Sequence, residues 1–192
     1  MRELIYFIAT SIDGQIADAE GDTSAFSADA DYLSTLAREF PESLPAHIRE
    51  ALGATLDPAT ARWDTVVMGR RTYEPALVAG IESPYAPLTE VVVSRTLSPS
   101  LRPGAPRIAR DAVALVRELK RAPGTGIWLC GGGELAASLA HEIDRLLVKV
   151  NPIILGRGRP LVDGPAIAGR WRLEGVERLS ADVVLLDYAR ER

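Results

Sequence analysis

Short apolar runs alternate along this chain with stretches of helical period, and the alternation predicts its elements. Residues 4–10, Leu-Ile-Tyr-Phe-Ile-Ala-Thr, are almost continuously apolar and stop before Asp13-Gly14, which predicts a buried strand and a turn. After Ser27, a possible helix cap, Leu33, Leu36, Ala37 and Phe40 recur at helical spacing. Segment 41–63 has Pro45 at a first-turn position and Gly53 at a stop, so a short helix is expected within a long peripheral connection. "DTVVMGRRTYEPALVAG" reads as a strand, a Gly-Arg-Arg-Thr loop and a helix closing at Gly80. Pro75 is tolerable there if it lies in the first helical turn, which needs no N–H from it. "EVVVSRTL" is a further short strand. Apolar residues at 112, 113, 115, 116 and 119 form one helix face, stopped by Pro123-Gly124. "IWLCGGGELAASLA" passes from a strand through three glycines into a helix, and "RLLVKVNPIILG" is a strand interrupted at Asn151-Pro152. In the tail, Trp171–Leu179 and Val183–Tyr188 read as two strands around a tight turn.

Strands alternating with helices imply a mostly parallel sheet covered on both faces, and the last hairpin implies an antiparallel edge. The expected fold is therefore a three-layer α/β/α sandwich with a mixed sheet. All 192 residues fit a single domain carrying the 41–63 insertion.

Composition narrows the functional classes. With 47% hydrophobic and 25% charged residues, the chain has the make-up of a soluble globular protein. A net charge of −4 argues against sequence-independent nucleic-acid binding, which needs a basic face. One cysteine, Cys130, excludes an internal disulfide and every multi-cysteine zinc motif; within its apolar run it is expected in the core. The opening apolar run is too short for a signal segment or a membrane span, so a cytoplasmic, complete protein is expected.

Candidate chemistry gathers at three strand ends: Gly69-Arg70-Arg71-Thr72, Ser94-Arg95-Thr96 and Gly131-Gly132-Gly133. Ligands of open α/β sheets sit outside the carboxyl ends of the strands. Two of these loops enter helices, whose free N–H groups and dipoles favour anions, and arginines match phosphate oxygens bidentately. Together they point to a polyphosphorylated ligand. The other reading, solvated or acid-paired arginines and a tight glycine turn, stays open. Gly131-x-Gly133-x-x-Ala136 also fits the dinucleotide fingerprint of a first strand, but it comes late and lacks the acid expected about 20 residues on, so an ordinary Rossmann assignment is rejected.

The blocks "FIATSIDGQIA", "VVMGRRTYE", "VVVSRTL", "CGGGELAASL" and "VNPIILGRGRPL", in this order, resemble the dihydrofolate-reductase-like superfamily. They are nearer to its branch related to the reductase domain of bacterial riboflavin biosynthesis than to dihydrofolate reductase itself. The resemblance covers nearly the whole chain except 41–63 and implies NADPH as cofactor. It implies that Gly69, Arg70, Arg71 and Thr72 hold cofactor phosphates and that Ser94 and Arg95 read the adenosine 2′-phosphate. Gly131, Gly132 and Gly133, with the Glu134 and Leu135 amides, would cradle the pyrophosphate, and Ala9, Gln15, Ile16 and Ala17 would line the nicotinamide. Cations rather than a carboxylate near the ribose independently favour the phosphorylated cofactor.

There are departures from the family. The Trp-Asn-Leu-Pro stretch of folate-reducing enzymes is absent, with "GDTSAFSADADYL" in its place. Asp29 aligns roughly with the folate enzyme's acid but equally suits a helix start. Asp13 lies beside the nicotinamide segment but equally suits a turn. These are the two candidate catalytic residues. His47 and His141 stand alone, without triad or metal-ligand spacing. The expected activity is NADPH-dependent reduction of a small pyrimidine- or pterin-type heterocycle, with dihydrofolate reduction or an NADP-binding sensor as alternatives. No metal, nucleic acid or membrane partner is expected. The apolar terminal hairpin at the sheet edge, together with the resemblance, implies a homodimer.

Overall fold

The computed structural model describes residues 1–57, 60–165 and 168–191, so positions 58 and 59 of the 41–63 segment lie outside it. Among the described residues ten strands occur: β1 (Leu4–Thr10), β2 (Gln15–Asp18), β3 (Trp63–Gly69), β4 (Thr89–Val93), β5 (Arg107–Ala109), β6 (Gly126–Gly131), β7 (Arg145–Val150), β8 (Gly158–Pro160), β9 (Trp171–Arg178) and β10 (Val184–Arg190). Five α-helices are α1 (Ala30–Glu39), α2 (Ala46–Ala51), α3 (Arg70–Val78), α4 (Ala112–Arg121) and α5 (Gly133–Ser138), with a 3-10 turn at Pro41–Ser43.

Eight strands form one sheet in the order β5-β4-β3-β6-β1-β7-β10-β9, while β2 and β8 pair separately. The run from β5 to β7 is parallel; β10 is antiparallel to β7, and β9 to β10. This is the expected mixed sheet with its antiparallel hairpin. The central strands β1, β3 and β6 are apolar at nearly every position because helices cover both of their faces.

On one face, Tyr32 and Leu36 of α1 and Tyr73 of α3 pack against Phe7, Trp63, Met68, Trp128 and Leu185. The rings form a chain: Phe7 stacks on Phe40 at 4.8 Å, Trp63 lies 5.6 Å from Trp128, and Tyr85 meets Trp128 edge-on at 4.9 Å. On the other face, Leu115, Val116 and Leu119 of α4 and Leu135 and Ala136 of α5 cover Tyr6, Val67 and Leu129. The three layers follow directly from these two clusters.

Several local expectations need correction. Asp29, not Ser27, caps α1, its carboxylate accepting the Tyr32 N–H at 2.9 Å. Helix α3 begins at Arg70, so Pro75 lies beyond the first turn. Segment 41–63 sends some of its side chains into the core while others stay exposed. Leu44 joins the aromatic cluster and Glu42 is buried, accepting the Arg62 N–H at 3.0 Å. Arg49 is also buried, donating to the carbonyls of Leu44 and Ala86. Burying a leucine side chain contributes about 1.5–3 kcal/mol, so Leu44 anchors this segment to the core. Gly53 ends α2 at φ +63, as its place in the sequence suggests.

Candidate functional site

Because β4, β3, β6 and β1 are neighbours, the turns that leave their carboxyl ends converge. A Cβ placed on Gly69 would lie 3.6 Å from the Gly131 carbonyl oxygen and 3.7 Å from the Gly132 nitrogen, so the first and third expected loops adjoin. Thr72 Oγ1 stands 3.6 Å from the corresponding point on Gly131. The segment after β1 reaches the glycines from the other side, with Ile16 Cδ1 3.9 Å from a Cβ on Gly132. Ser11 N–H donates to the Gln15 carbonyl at 2.8 Å and Gln15 N–H to Ser11 Oγ at 2.9 Å, which holds the Gln15-Ile16-Ala17 strand beside the end of β1.

The three glycines do different things. Gly131 has φ +146, a backbone state that L side chains rarely adopt. Gly133 is required by packing, since a Cβ there would collide with the Pro160 carbonyl oxygen next to Asp163. Gly132 at φ −102 caps α5, and its missing side chain faces open space apart from Ile16. The close-packing reading therefore holds for Gly133, and the open approach holds for Gly132. Leu135 is buried behind them, while the Glu134 side chain is exposed.

The cations stand beside these turns. Arg70 pairs with Glu74 at 2.7 Å and donates to Thr96 Oγ1 at 2.5 Å, tying the β3 turn to the β4 turn. Arg71 pairs with Glu134 at 2.8 Å, tying the β3 turn to α5. Both ion pairs are exposed and worth little, so an incoming anion can replace them at small cost. Ser94 is buried, its hydroxyl accepting the Thr96 and Leu97 N–H groups, and Arg110 donates to its carbonyl. Arg95 is exposed and has no hydrogen bond or ion pair with any described residue. Arg110, which the sequence reading passed over, adds a further cation to this end of the sheet.

The two candidate carboxylates are engaged in holding the fold. Asp13 accepts the Ser11 hydroxyl at 2.6 Å and the N–H groups of Leu155 and Gly156 at 3.1 and 2.7 Å. These donors, Ser11 first, hold its pKa below the usual carboxylate value. An ionised clamp of this kind is a poor proton donor at neutral pH. Asp29 is exposed and occupied with capping α1.

What the sequence reading missed lies on the sheet floor. Lys149, opposite Ala9 in the β1–β7 register, places Nζ 4.0 Å from the centroid of the Phe7 ring. Burial lowers its pKa to about 8. Cys130, buried as expected, lies 3.7 Å from Tyr85 Oη, and burial raises the thiol to about 11. Glu90 sits behind Tyr85, accepting the Ser83 hydroxyl at 2.8 Å and the Tyr85 N–H at 2.7 Å, its pKa raised by burial. One signal was available: a lone lysine within the apolar run "LLVKV".

His47 and His141 are exposed and far apart in sequence, and no cluster of possible metal ligands occurs among the described residues. No helix among them is long and apolar enough to cross a membrane.

Comparison with known proteins bears on the family and the fold. The uncharacterized protein YwjB of Bacillus subtilis is 28% identical over 191 residues, spanning 98% of both chains. The riboflavin biosynthesis protein RibD of Mycobacterium tuberculosis is 31% identical over 205 residues. That match takes in 95% of this chain and 53% of RibD, so the chain spans about half of that relative's length. Among solved structures, a protein from Shewanella sp. PV-4 named for riboflavin biosynthesis superposes over 100% of both chains, with a TM-score of 0.71 and 21% identity. The deaminase/5-amino-6-(5-phosphoribosylamino)uracil reductase of Thermotoga maritima superposes over 99% of this chain and 57% of its own, with a TM-score of 0.66 and 14% identity. These likenesses fix the fold as dihydrofolate-reductase-like. The profile of the RibD C-terminal domain matches residues 2–185, nearly the full length, and the chain belongs to that family.

Proposed function

We propose that this protein is an NADPH-dependent reductase of a small heterocycle, most similar in activity to 5-amino-6-(5-phosphoribosylamino)uracil reductase. Family membership supports reduction in riboflavin-type chemistry. The observation that carries the cofactor reading is the convergence of the open Gly132 turn with Arg70, Arg71 and Arg95, which has no partner among the described residues. A dinucleotide phosphate fits such a site: pyrophosphate against Gly132 and the first N–H groups of α5, and a 2′-phosphate against Ser94 and Arg95. Bound there, the cofactor would supply the hydride. The chain's own residues bind and orient it, with Ala9 and Gln15-Ile16-Ala17 at the nicotinamide end.

Calorimetric titration with NADPH and NADH tests the cofactor, and NADPH oxidation with 5-amino-6-(5-phosphoribosylamino)uracil tests the reaction. We expect NADPH to bind at least about tenfold more tightly, a difference of roughly 1.4 kcal/mol. Equal affinities would overturn the cofactor reading. Binding without turnover of that uracil or of a dihydropterin would favour a sensor. Pairing of two chains is part of the same proposal. β9 is the open sheet edge, with Leu173 and Val176 exposed on it. Light scattering should give the mass of two chains; the mass of one would rule pairing out.

A further inference from the structure

Strands β6, β1 and β7 are adjacent, and on the face covered by α1 they align Cys130, Phe7 with Ala9, and Lys149. Lys149 lies one residue before the end of β7, directly across from Ala9, which the cofactor reading assigns to the nicotinamide end. The next turn closes over it. Asn151 is buried, donates to the Lys149 carbonyl at 3.1 Å and accepts the Ser27 N–H at 3.2 Å, which brings the segment before α1 to this strand end.

The lysine itself is unusual in this chain. Of 22 basic residues only two are lysines, and the other, Lys120, is engaged by Asp144 at 2.6 Å and by the Glu142 carbonyl at 2.5 Å. Lys149 keeps part of its surface exposed, its side chain rests on the face of Phe7, and its ammonium makes no hydrogen bond or ion pair with any described residue. An arginine at this position would stay charged at every working pH, whereas a desolvated lysine exchanges its proton readily. Neither of the two candidate carboxylates is left for proton transfer: Asp13 clamps its loop, and Asp29 caps α1.

Resting on the reductase reading, we propose that Lys149 is the proton donor of the reduction. Its ammonium hydrogen-bonds the nitrogen of the substrate's C=N group and passes a proton to it as the adjacent carbon accepts hydride. The C=N π bond is lost, one C–H and one N–H bond form, and the substrate gains two electrons. The amine left on Lys149 regains its proton from water. The electrostatic setting suits the task. With its pKa lowered to about 8, the ammonium is present at neutral pH yet is a stronger acid than an ordinary lysine. The titratable groups facing it do not neutralise it: Cys130 of β6 and Tyr85 both have pKa values raised by burial and stay protonated. Glu90 of β4 lies beyond Tyr85 and is engaged with Ser83 and the Tyr85 backbone.

The test has two independent readouts on the full-length chain. First, ¹³C-reductive methylation labels both lysines and the N-terminal amine, and an NMR pH titration should show a lysine resonance with a midpoint near 8, identified by its loss in Lys149→Gln. An ordinary midpoint near 10.4 overturns the proposal without any substrate. Second, with NADPH and 5-amino-6-(5-phosphoribosylamino)uracil, Lys149→Met should lower kcat at least about 100-fold while NADPH affinity stays within about twofold. Lys149→Arg should retain binding and lose the fall in kcat that is expected of the native chain as pH rises through about 8. Native-like kcat in Lys149→Met overturns the proton donor alone. If the native chain fails to bind NADPH, the reductase reading falls, and this role falls with it.

Discussion

The two ends of the central sheet both collect cations, yet they differ in what those cations still have to give. At the amino ends a hollow of about 710 Å³ is lined by Arg2, Arg62, Lys120 and Arg121. Arg2 is held by Asp64, by Thr65 Oγ1 at 2.8 Å and by the Thr125 and Gly126 carbonyls. Lys120 is held by Asp144, and Arg62 lies over the Phe40 ring at 4.3 Å while donating to the Glu39 carbonyl. Arg121 stands in the last turn of α4, where the helix dipole favours a cation. At the carboxyl ends the pairs are exposed and exchangeable, Arg95 has no partner among the described residues, and Gly132 leaves room beside a helix start. The hollow at the amino ends is structural and the row of turns at the carboxyl ends is the candidate site. Spare hydrogen-bonding capacity separates the two.

Arg2→Met should break that contrast most visibly at the structural end. Removing one partner of a largely buried pair costs about 3 kcal/mol here, the low end of the usual range because Asp64 is partly exposed. The denaturation midpoint should fall accordingly, with NADPH affinity of the folded protein unchanged. A stable variant with weakened NADPH binding would reverse the roles of the two ends.

Gly132→Val acts on the other side of the comparison. Its backbone is not left-handed and its Cβ would meet only Ile16, so folding should survive. NADPH binding should weaken at least about 100-fold, roughly 2.7 kcal/mol, because the side chain fills the approach to α5. Calorimetry showing native affinity would assign the glycines to packing alone.

Arg95→Met sharpens the picture by a smaller amount. NADPH affinity should drop about tenfold, or about 1.4 kcal/mol, while NADH affinity stays within about twofold. An equal loss for both cofactors would place Arg95 away from the 2′-phosphate.

The smallest change is expected from Asp13→Asn: NADPH affinity and turnover should each remain within about threefold of native. The carboxylate clamps residues 155 and 156, and its pKa is lowered, chiefly by Ser11. The clamp is therefore fully formed above the usual carboxylate range and is lost as pH falls through the lowered value. Amide exchange at Leu155 and Gly156 should accelerate on that acidic side. A large loss of kcat at neutral pH would restore Asp13 as a catalytic group.

Much of the site was legible because its chemistry is local. A strand running into Gly-Arg-Arg-Thr, Ser-Arg-Thr or Gly-Gly-Gly carries its turn and its cations in consecutive residues, so order along the chain predicts their place at the sheet's carboxyl end. The same holds for the α4 face, for the closing hairpin, and for Gly53 and Gly80 at their stops. Strands of three or four residues such as β2, β5 and β8 escaped notice, since so few positions establish no period.

Sequence by itself determined the layered fold, the family and the row of phosphate-suited turns, because periodicity and turn chemistry act over a few neighbouring residues. Only the tertiary structure decided which charges are already satisfied. Asp13 meets Leu155 and Gly156, and Arg2 meets Asp64, across separations that no local pattern encodes. Segment 41–63 reads as a peripheral connection, yet Leu44 packs into the aromatic cluster and Glu42 is buried. Lys149 becomes distinctive only when β1 and β6 set Phe7 and Cys130 beside it, because desolvation is a property of packing and not of the residue.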